Sequence, residues 1–333
     1  MTLPRFVPLA LVALTTAHAA PPTAEPASNP VATALAFSHL YATPEALTAG
    51  KDRALKVKLT TTFADRPELP WDAASGFFDK AAFQAVAGDK GAISLATMER
   101  LVREKTPQSR KDLNPKTRLH ADLLSTQFDL IEEAHRGPAE ELVAWIVKNY
   151  QPDKPLGVVI ICTRNTRRSV LGCAMGNVAA SYYGLTNVRF HSGGTDPDAF
   201  NPRSIAALRD VGLDIEPTGE EAARGSSGNP NPVYRVRWGK DLEAREFSKK
   251  YSDPANPQTG FAAMLVCSEA DASCPRVAGA SKRIPVPYLD PKAFDGAPFE
   301  AGKYAERRDD VGRFMLSVMM QTRRRLELEG RLK

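Results

Sequence analysis

The run Leu156-Gly-Val-Val-Ile-Ile-Cys162 has no polar side chain ahead of its cysteine. A strand that is apolar on both faces must be covered on both, as an interior strand of a parallel sheet is. The next twenty residues narrow the choice further. Thr163, Arg164, Asn165, Thr166, Arg167, Arg168 and Ser169 are all polar. Beyond them Val170, Leu171, Ala174, Met175, Val178, Ala179 and Tyr182 fall at helical spacing. A strand, a short polar turn and a helix, in that order, aim successive backbone N–H groups at one point, and the helix N-terminus adds a positive partial charge there. Residues 163–169 are therefore expected to bind an oxyanion. Arg168 can grip two of its oxygens through the planar guanidinium fork. The same field favours the thiolate of Cys162, making it a nucleophile. Ser169 can donate its hydroxyl to that sulfur, and Asn165 can hold the turn through side-chain hydrogen bonds.

The pattern around this turn is that of an α/β protein. Residues 188–192 and 261–267 read as further strands, and 283–288 as a short one held to an edge by its prolines. Asn201-Pro202 opens a helix, as N-cap and first helical residue, and Gly212 ends it. Residues 299–328 read as a long closing helix. Strands alternating with helices imply a parallel, doubly wound sheet. Residues 216–258 interrupt the alternation. Gly225-Ser-Ser-Gly-Asn-Pro-Asn-Pro232 is loop chemistry, and Tyr234, Trp238, Phe247 and Tyr251 follow at irregular spacing. The segment is expected to be a long insertion, either a lid or binding loop or a surface loop pinned by its aromatics.

The first half of the chain divides differently. Arg5, the apolar run 6–17 and Ala17-His18-Ala19 make residues 1–20 a signal peptide. Residues 21–35, rich in Pro, Ala, Ser and Thr, read as a flexible linker. Residues 36–116 are a helical region of unassigned role, with helices expected over 77–83 and 93–102. Gly88-Asp-Lys-Gly-Ala-Ile-Ser-Leu95 has the glycine and isoleucine spacing of a calcium-binding helix-loop-helix. Its ligand positions fall on Val86, Gly88, Lys90 and Thr97, none of them a carboxylate, so a helix-turn-helix packing unit is expected and no metal site. Residues 117–150 are expected to be two helices broken at Gly137-Pro138. No later apolar run is long enough to span a membrane. The expectation is a periplasmic or secreted protein with no membrane contact after cleavage. The formal charge of +5 is spread along the chain, which argues against a nucleic-acid partner.

Cys-x-x-Asn-x-x-Arg-Ser after a strand resembles the loop of low-molecular-weight protein tyrosine phosphatases and of the related thioredoxin-coupled arsenate reductases. Phe190-His-Ser-Gly-Gly-Thr195, Asn201-Pro-Arg-Ser-Ile-Ala-Ala-Leu208 and Val211-Gly-Leu-Asp-Ile215 look like the second strand and helix of that family. The resemblance implies that residues 151–333 form a catalytic domain with three layers, α/β/α, around a four-stranded parallel sheet of order 2-1-3-4. Cys267-Ser-Glu-Ala-Asp-Ala-Ser-Cys274-Pro275 is similar to the redox pair of the reductase branch, and Lys282-Arg283 and Leu289-Asp290-Pro291 come at that branch's spacing. It implies Asp290 as general acid and a relay from Cys162 through Cys267 and Cys274 to an external dithiol, such as a thioredoxin-like periplasmic reductant, with no cofactor. The substrate implied is arsenate, or a phosphate monoester if the chain is an exported phosphatase working through a phosphocysteine. A plain Cys267–Cys274 disulfide pinning a loop is the other reading of that pair. Arg164 stands where the family has Gly and Arg167 where it has Cys. Cys173 replaces the Glu of the potassium-binding reductases.

Overall fold

The computed structural model describes residues 29–48, 50–268 and 276–332. The expected signal peptide and Cys274 lie outside the described residues. The N-terminal part comprises helices α1 (Pro30–Tyr41), α2 (Asp52–Asp65), α3 (Trp71–Ala74), α4 (Lys80–Ala87), α5 (Leu95–Lys105), α6 (Gln108–Lys111), α7 (Pro115–Ser125) and α8 (Glu133–Asn149), with short strands β1 (Glu68–Pro70) and β2 (Ala92–Ser94).

Three expectations change here. The flexible linker, residues 21–35, runs into α1. The Asn29 side chain accepts from the N–H groups of Val31 and Ala32, Pro30 sits where no N–H is needed, and Ala34 and Leu35 are buried. Of the stretch that reads as low complexity, residues 30–35 are the start of a capped, packed helix. The helices expected at 77–83 and 93–102 start later, where Asp79 and Ser94 accept from backbone N–H groups. Ile93 is drawn instead into β2, opposite Leu69 of β1. This antiparallel ribbon joins two helix-loop-helix units. Finally, Gly137-Pro138 does not break the chain. Pro138 is the sixth residue of α8; it removes the bond to the Ala134 carbonyl and crowds that carbonyl, yet the helix continues through it to Asn149. The interruption falls at 126–132, around the single turn Phe128–Leu130.

The C-terminal part is mixed α/β. Its strands and helices are β3 (Leu156–Cys162), α9 (Arg168–Tyr182), β4 (Val188–Gly194), α10 (Pro202–Asp210), β5 (Asp214–Glu221), β6 (Pro232–Gly239), β7 (Leu242–Glu246), β8 (Phe261–Leu265), β9 (Ala280–Pro285) and a C-terminal helix (Glu300–Leu328). β4, β3, β8 and β9 are hydrogen-bonded neighbours in an all-parallel sheet. Val158, Val159, Ile160 and Ile161 of β3 are fully buried, as the apolar run requires. β9, with Pro285, is at an edge. α9 is buried along its whole length against β3, β4 and the C-terminal helix. Among the described residues no helix is long and apolar enough to cross a membrane.

The segment 216–258 is not a loop. With β5 starting just before it, it forms a three-stranded antiparallel sheet, β5-β6-β7. Its signal was a period of two: Val236 and Trp238 are buried, while Arg235 and Arg237 pair across the strand with Glu216 and Asp214. The Pro- and Gly-rich stretch is only the connection between β5 and β6. Trp238 donates to the Ser181 hydroxyl (2.9 Å), docking the small sheet on α9.

His39 of α1 is buried and stacks on Phe128, with ring centroids 5.2 Å apart. Burial, and then the nearby Arg110 charge, push its pKa from 6.5 down to about 3. The folded state thus binds fewer protons than the unfolded one between those values. Stability is complete above pH 6.5 and declines as pH falls toward 3, by up to about 1.4 kcal/mol per pH unit. Comparing the melting temperatures of wild type and His39→Leu at pH 7 and pH 4 checks this. The variant should lose less on acidification; an equal loss would exclude His39 as a source.

Candidate active site

β3 ends at Cys162 and α9 begins at Arg168, so the intervening turn must reverse within five residues. Its carbonyls are tied down by the segment after β4. Thr195 N–H donates to the Cys162 carbonyl (3.2 Å), Asp196 to Thr163 (2.9 Å), Asp198 to Arg164 (3.1 Å) and Asn201 to Thr166 (3.0 Å). In a trans peptide the N–H points opposite to the C=O. Anchoring these carbonyls on one side therefore turns the N–H groups of Thr163, Arg164, Asn165 and Arg167 to the other, which makes an anion-binding concavity. Asn165 has a positive φ of 48° and is fully buried. Gly194 is pressed against it: a Cβ there would lie 2.7 Å from the Thr163 carbonyl oxygen and 2.9 Å from Asn165 N.

Within the turn, Asn165 Nδ2 donates to Ser169 Oγ (2.9 Å), which lies 3.1 Å from Cys162 Sγ. Because that oxygen accepts from Asn165, its own proton is available to the sulfur. A hydroxyl donor facing Sγ is the partner a thiolate requires. Cys162, Asn165 and Ser169 are thus brought together as their types imply.

Arg168, the first residue of α9, reaches across to the loop after β9. Its Nη1 donates to the Tyr288 carbonyl (3.1 Å), and its Nη2 is 3.0 Å from Asp290 Oδ2. The other oxygen of Asp290 accepts from Lys292 N–H (3.0 Å), capping a short turn. The ring of Tyr288 packs against that of His135 of α8, with centroids 4.3 Å apart and planes tilted by 50°, and His135 Nε2 lies 2.9 Å from the Pro287 carbonyl oxygen. Burial pushes the Tyr288 phenol well up, so it stays neutral. A cleft of about 590 Å³ opens beside Arg168 and Asp290, with Ser268, Leu289 and Lys292 on its walls.

Cys267 follows the end of β8 by two residues. Val266 N–H donates to the Ile161 carbonyl (2.9 Å), so the ladder with β3 carries on to the cysteine's threshold. Cys267 is fully buried, and its Sγ is 3.6 Å from Thr163 Oγ1. A second thiol therefore stands beside the turn that begins at Cys162.

No protein-family model matches the sequence, and no curated protein matches it.

Not every expected residue serves the cradle with its side chain. Arg164 is half exposed and pairs with Asp196 at 3.5 Å. Arg167 donates from Nε to the Tyr304 hydroxyl (2.8 Å), and that hydroxyl donates to Asp295 (2.8 Å). The Thr166 hydroxyl accepts from Arg167 Nη1 (3.3 Å). These side chains fasten the turn to its surroundings. Cys173 is apart from the site. Burial above all, and then the Glu246 carboxylate, push its thiol well up, which suits an inert structural cysteine. Sequence reasoning missed His135, Glu246 and Lys249. The Gly193-Gly194 pair at the end of β4 marked the close approach. Nothing local marked the other three.

Proposed function

We propose that this chain is an exported arsenate reductase-like enzyme in which Cys162 attacks a bound oxyanion. The observation that carries the reading is the second thiol: Cys267, buried, with its sulfur 3.6 Å from Thr163 Oγ1 at the neighbouring strand end. Hydrolysis of a phosphate ester has no use for it, whereas reduction needs a second sulfur beside the first. We read the parallel sheet and its helices as the three-layer α/β/α arrangement of order 2-1-3-4 in which such loops are found.

In the first step the Cys162 thiolate displaces one oxygen of arsenate, and Asp290 supplies the proton with which it leaves as water. Arg168 and the backbone N–H groups of the turn carry the charge that develops on the remaining oxygens. The Cys267 thiolate then attacks Cys162 Sγ. The S–As bond breaks with its electron pair going to arsenic, so arsenite departs and a Cys162–Cys267 disulfide remains. Attack by Cys274 on Cys267 releases the Cys162 thiolate. An external dithiol reduces the Cys267–Cys274 bond and closes the cycle.

An exported phosphomonoesterase is the second reading, favoured by the Arg168–Asp290 pair, which would serve a phosphocysteine intermediate equally well. Assaying wild type and Cys274→Ser separates the two. With a dithiol present, the variant should lose multiple-turnover arsenate reduction while p-nitrophenyl phosphate hydrolysis stays within about threefold of wild type. Equal arsenate reduction by both proteins would sink the three-cysteine relay.

A further inference from the structure

The small antiparallel sheet ends in a buried ion pair directly behind the Cys162 turn. Lys249 Nζ lies 2.8 Å from Glu246 Oε2, with the side chains only 2% and 10% exposed. The ammonium also approaches the Phe247 carbonyl (3.4 Å) and lies over the Phe247 ring at 4.7 Å. Glu246 accepts in addition from Ser192 Oγ of β4 (3.2 Å), and Cys173 Sγ of α9 is 3.7 Å from its other oxygen. The pair is thus surrounded by β4, α9 and its own segment.

Burying two charges is costly, and a buried pair is often replaceable by apolar residues with no loss of stability. Stability alone gives little reason for it. Its geometric effect is specific. Lys249 N–H donates to Asn165 Oδ1 (2.9 Å), while the Lys249 carbonyl accepts from Gly194 N–H (2.9 Å). Both residues belong to the crowded contact under the nucleophile turn. From Asn165 the chain of bonds continues through Ser169 Oγ to Cys162 Sγ. Ser248 adds a bond from its hydroxyl to the Arg164 carbonyl (3.3 Å).

We propose that the Glu246–Lys249 pair is a positioning element for the nucleophile: by fixing the backbone at residue 249 it sets Asn165, and through Asn165 and Ser169 the place of the Cys162 sulfur. The proposal rests on the reading of Cys162 as the nucleophile. It assigns the segment 216–258 a role in holding the turn, in place of a lid over it.

The test uses Lys249→Met, which keeps length and removes charge, Lys249→Arg, which keeps charge, and the double variant Glu246→Gln/Lys249→Met, which leaves no unpaired charge. Two readouts are taken: steady-state kinetics with arsenate and with p-nitrophenyl phosphate, and the rate of iodoacetamide alkylation at Cys162, resolved by mass spectrometry at about pH 6. Misplacing a reacting group by a fraction of an ångström to about 1 Å costs about 10- to 100-fold in rate. Lys249→Met should lower kcat and the alkylation rate by that order, with KM within about threefold, and Lys249→Arg should restore part of both. The double variant should melt close to wild type yet remain slow. Wild-type alkylation and kcat in a folded double variant would overturn the proposal. The alkylation arm does not depend on turnover. Wild type that alkylates rapidly but processes neither substrate would refute the proposed function, and the variants would still decide the positioning role.

Discussion

Cys162→Ser is expected to abolish both arsenate reduction and phosphomonoester hydrolysis, lowering kcat/KM by at least about 10⁴-fold. The reason is in the local geometry. The Ser169 hydroxyl lies 3.1 Å from Sγ, and the carbonyls of Cys162, Thr163, Arg164 and Thr166 are held by the segment after β4. A serine oxygen at that place has an alkoxide that is inaccessible near neutral pH, and it would have only the Ser169 hydroxyl, a poor base, beside it. Binding should survive, because the turn and Arg168 are untouched. Arsenate or phosphate should therefore still protect the variant against thermal unfolding to about the extent seen in wild type. Residual turnover of either substrate above about one per cent would refute the central assignment. Loss of binding together with turnover would mean instead that the sulfur holds the turn open.

Asp290→Asn carries the second large effect. A general acid typically contributes about 10²- to 10⁴-fold, and kcat should fall within that range. The amide is a clean replacement here. Its oxygen can still cap the turn by accepting from Lys292 N–H, as Oδ1 of Asp290 does at 3.0 Å. What is lost is the proton and the charge that faces Arg168 Nη2 at 3.0 Å. The size of the loss should depend on the leaving group. Phenyl phosphate, whose phenolate is a poor leaving group, should suffer at least about tenfold more than p-nitrophenyl phosphate, which departs almost without protonation. An equal loss on both esters would show that Asp290 acts by holding Arg168 and not by giving a proton.

How much of this could be read from the chain itself varied with how local the information is. The interior strand 156–162 and the Cys162 turn are encoded within the continuous stretch 156–182, by an apolar run, a polar turn and a helical stripe. The cap Asn201-Pro202 announced α10 in the same way. Other features depend on what lies across the fold. Lys249 touches Asn165 over 84 positions of sequence, and His135 reaches Pro287 over 152. In the sequence they are an ordinary lysine among charges and an ordinary histidine on a helix. The meander β5-β6-β7 was hidden for a different reason. Its outward faces are charged and its strands flank a Gly- and Pro-rich connection, so loop chemistry outweighed an alternation visible in Val236, Arg237 and Trp238. Pro138 misled in the opposite sense: it removes one helical bond, to Ala134, yet the packed helix α8 continues through it. α1 was missed because small residues at a buried helix interface have the composition of a linker.

The proposed nucleophile and the proposed acid rest on strands of different standing. Cys162 terminates β3, which has hydrogen-bonded neighbours on both sides. Asp290 comes after β9, which has one. Local opening of a folded chain costs least where backbone bonds are few and exposed, and approaches the cost of global unfolding in the centre of a sheet. The turn after Cys162 is therefore tied to the last part of the sheet to open. Asp290, the proposed proton donor, is tied to a margin that can fray while that turn stays formed. Fluctuations that leave the fold intact will displace Asp290 before they reach the Cys162 sulfur.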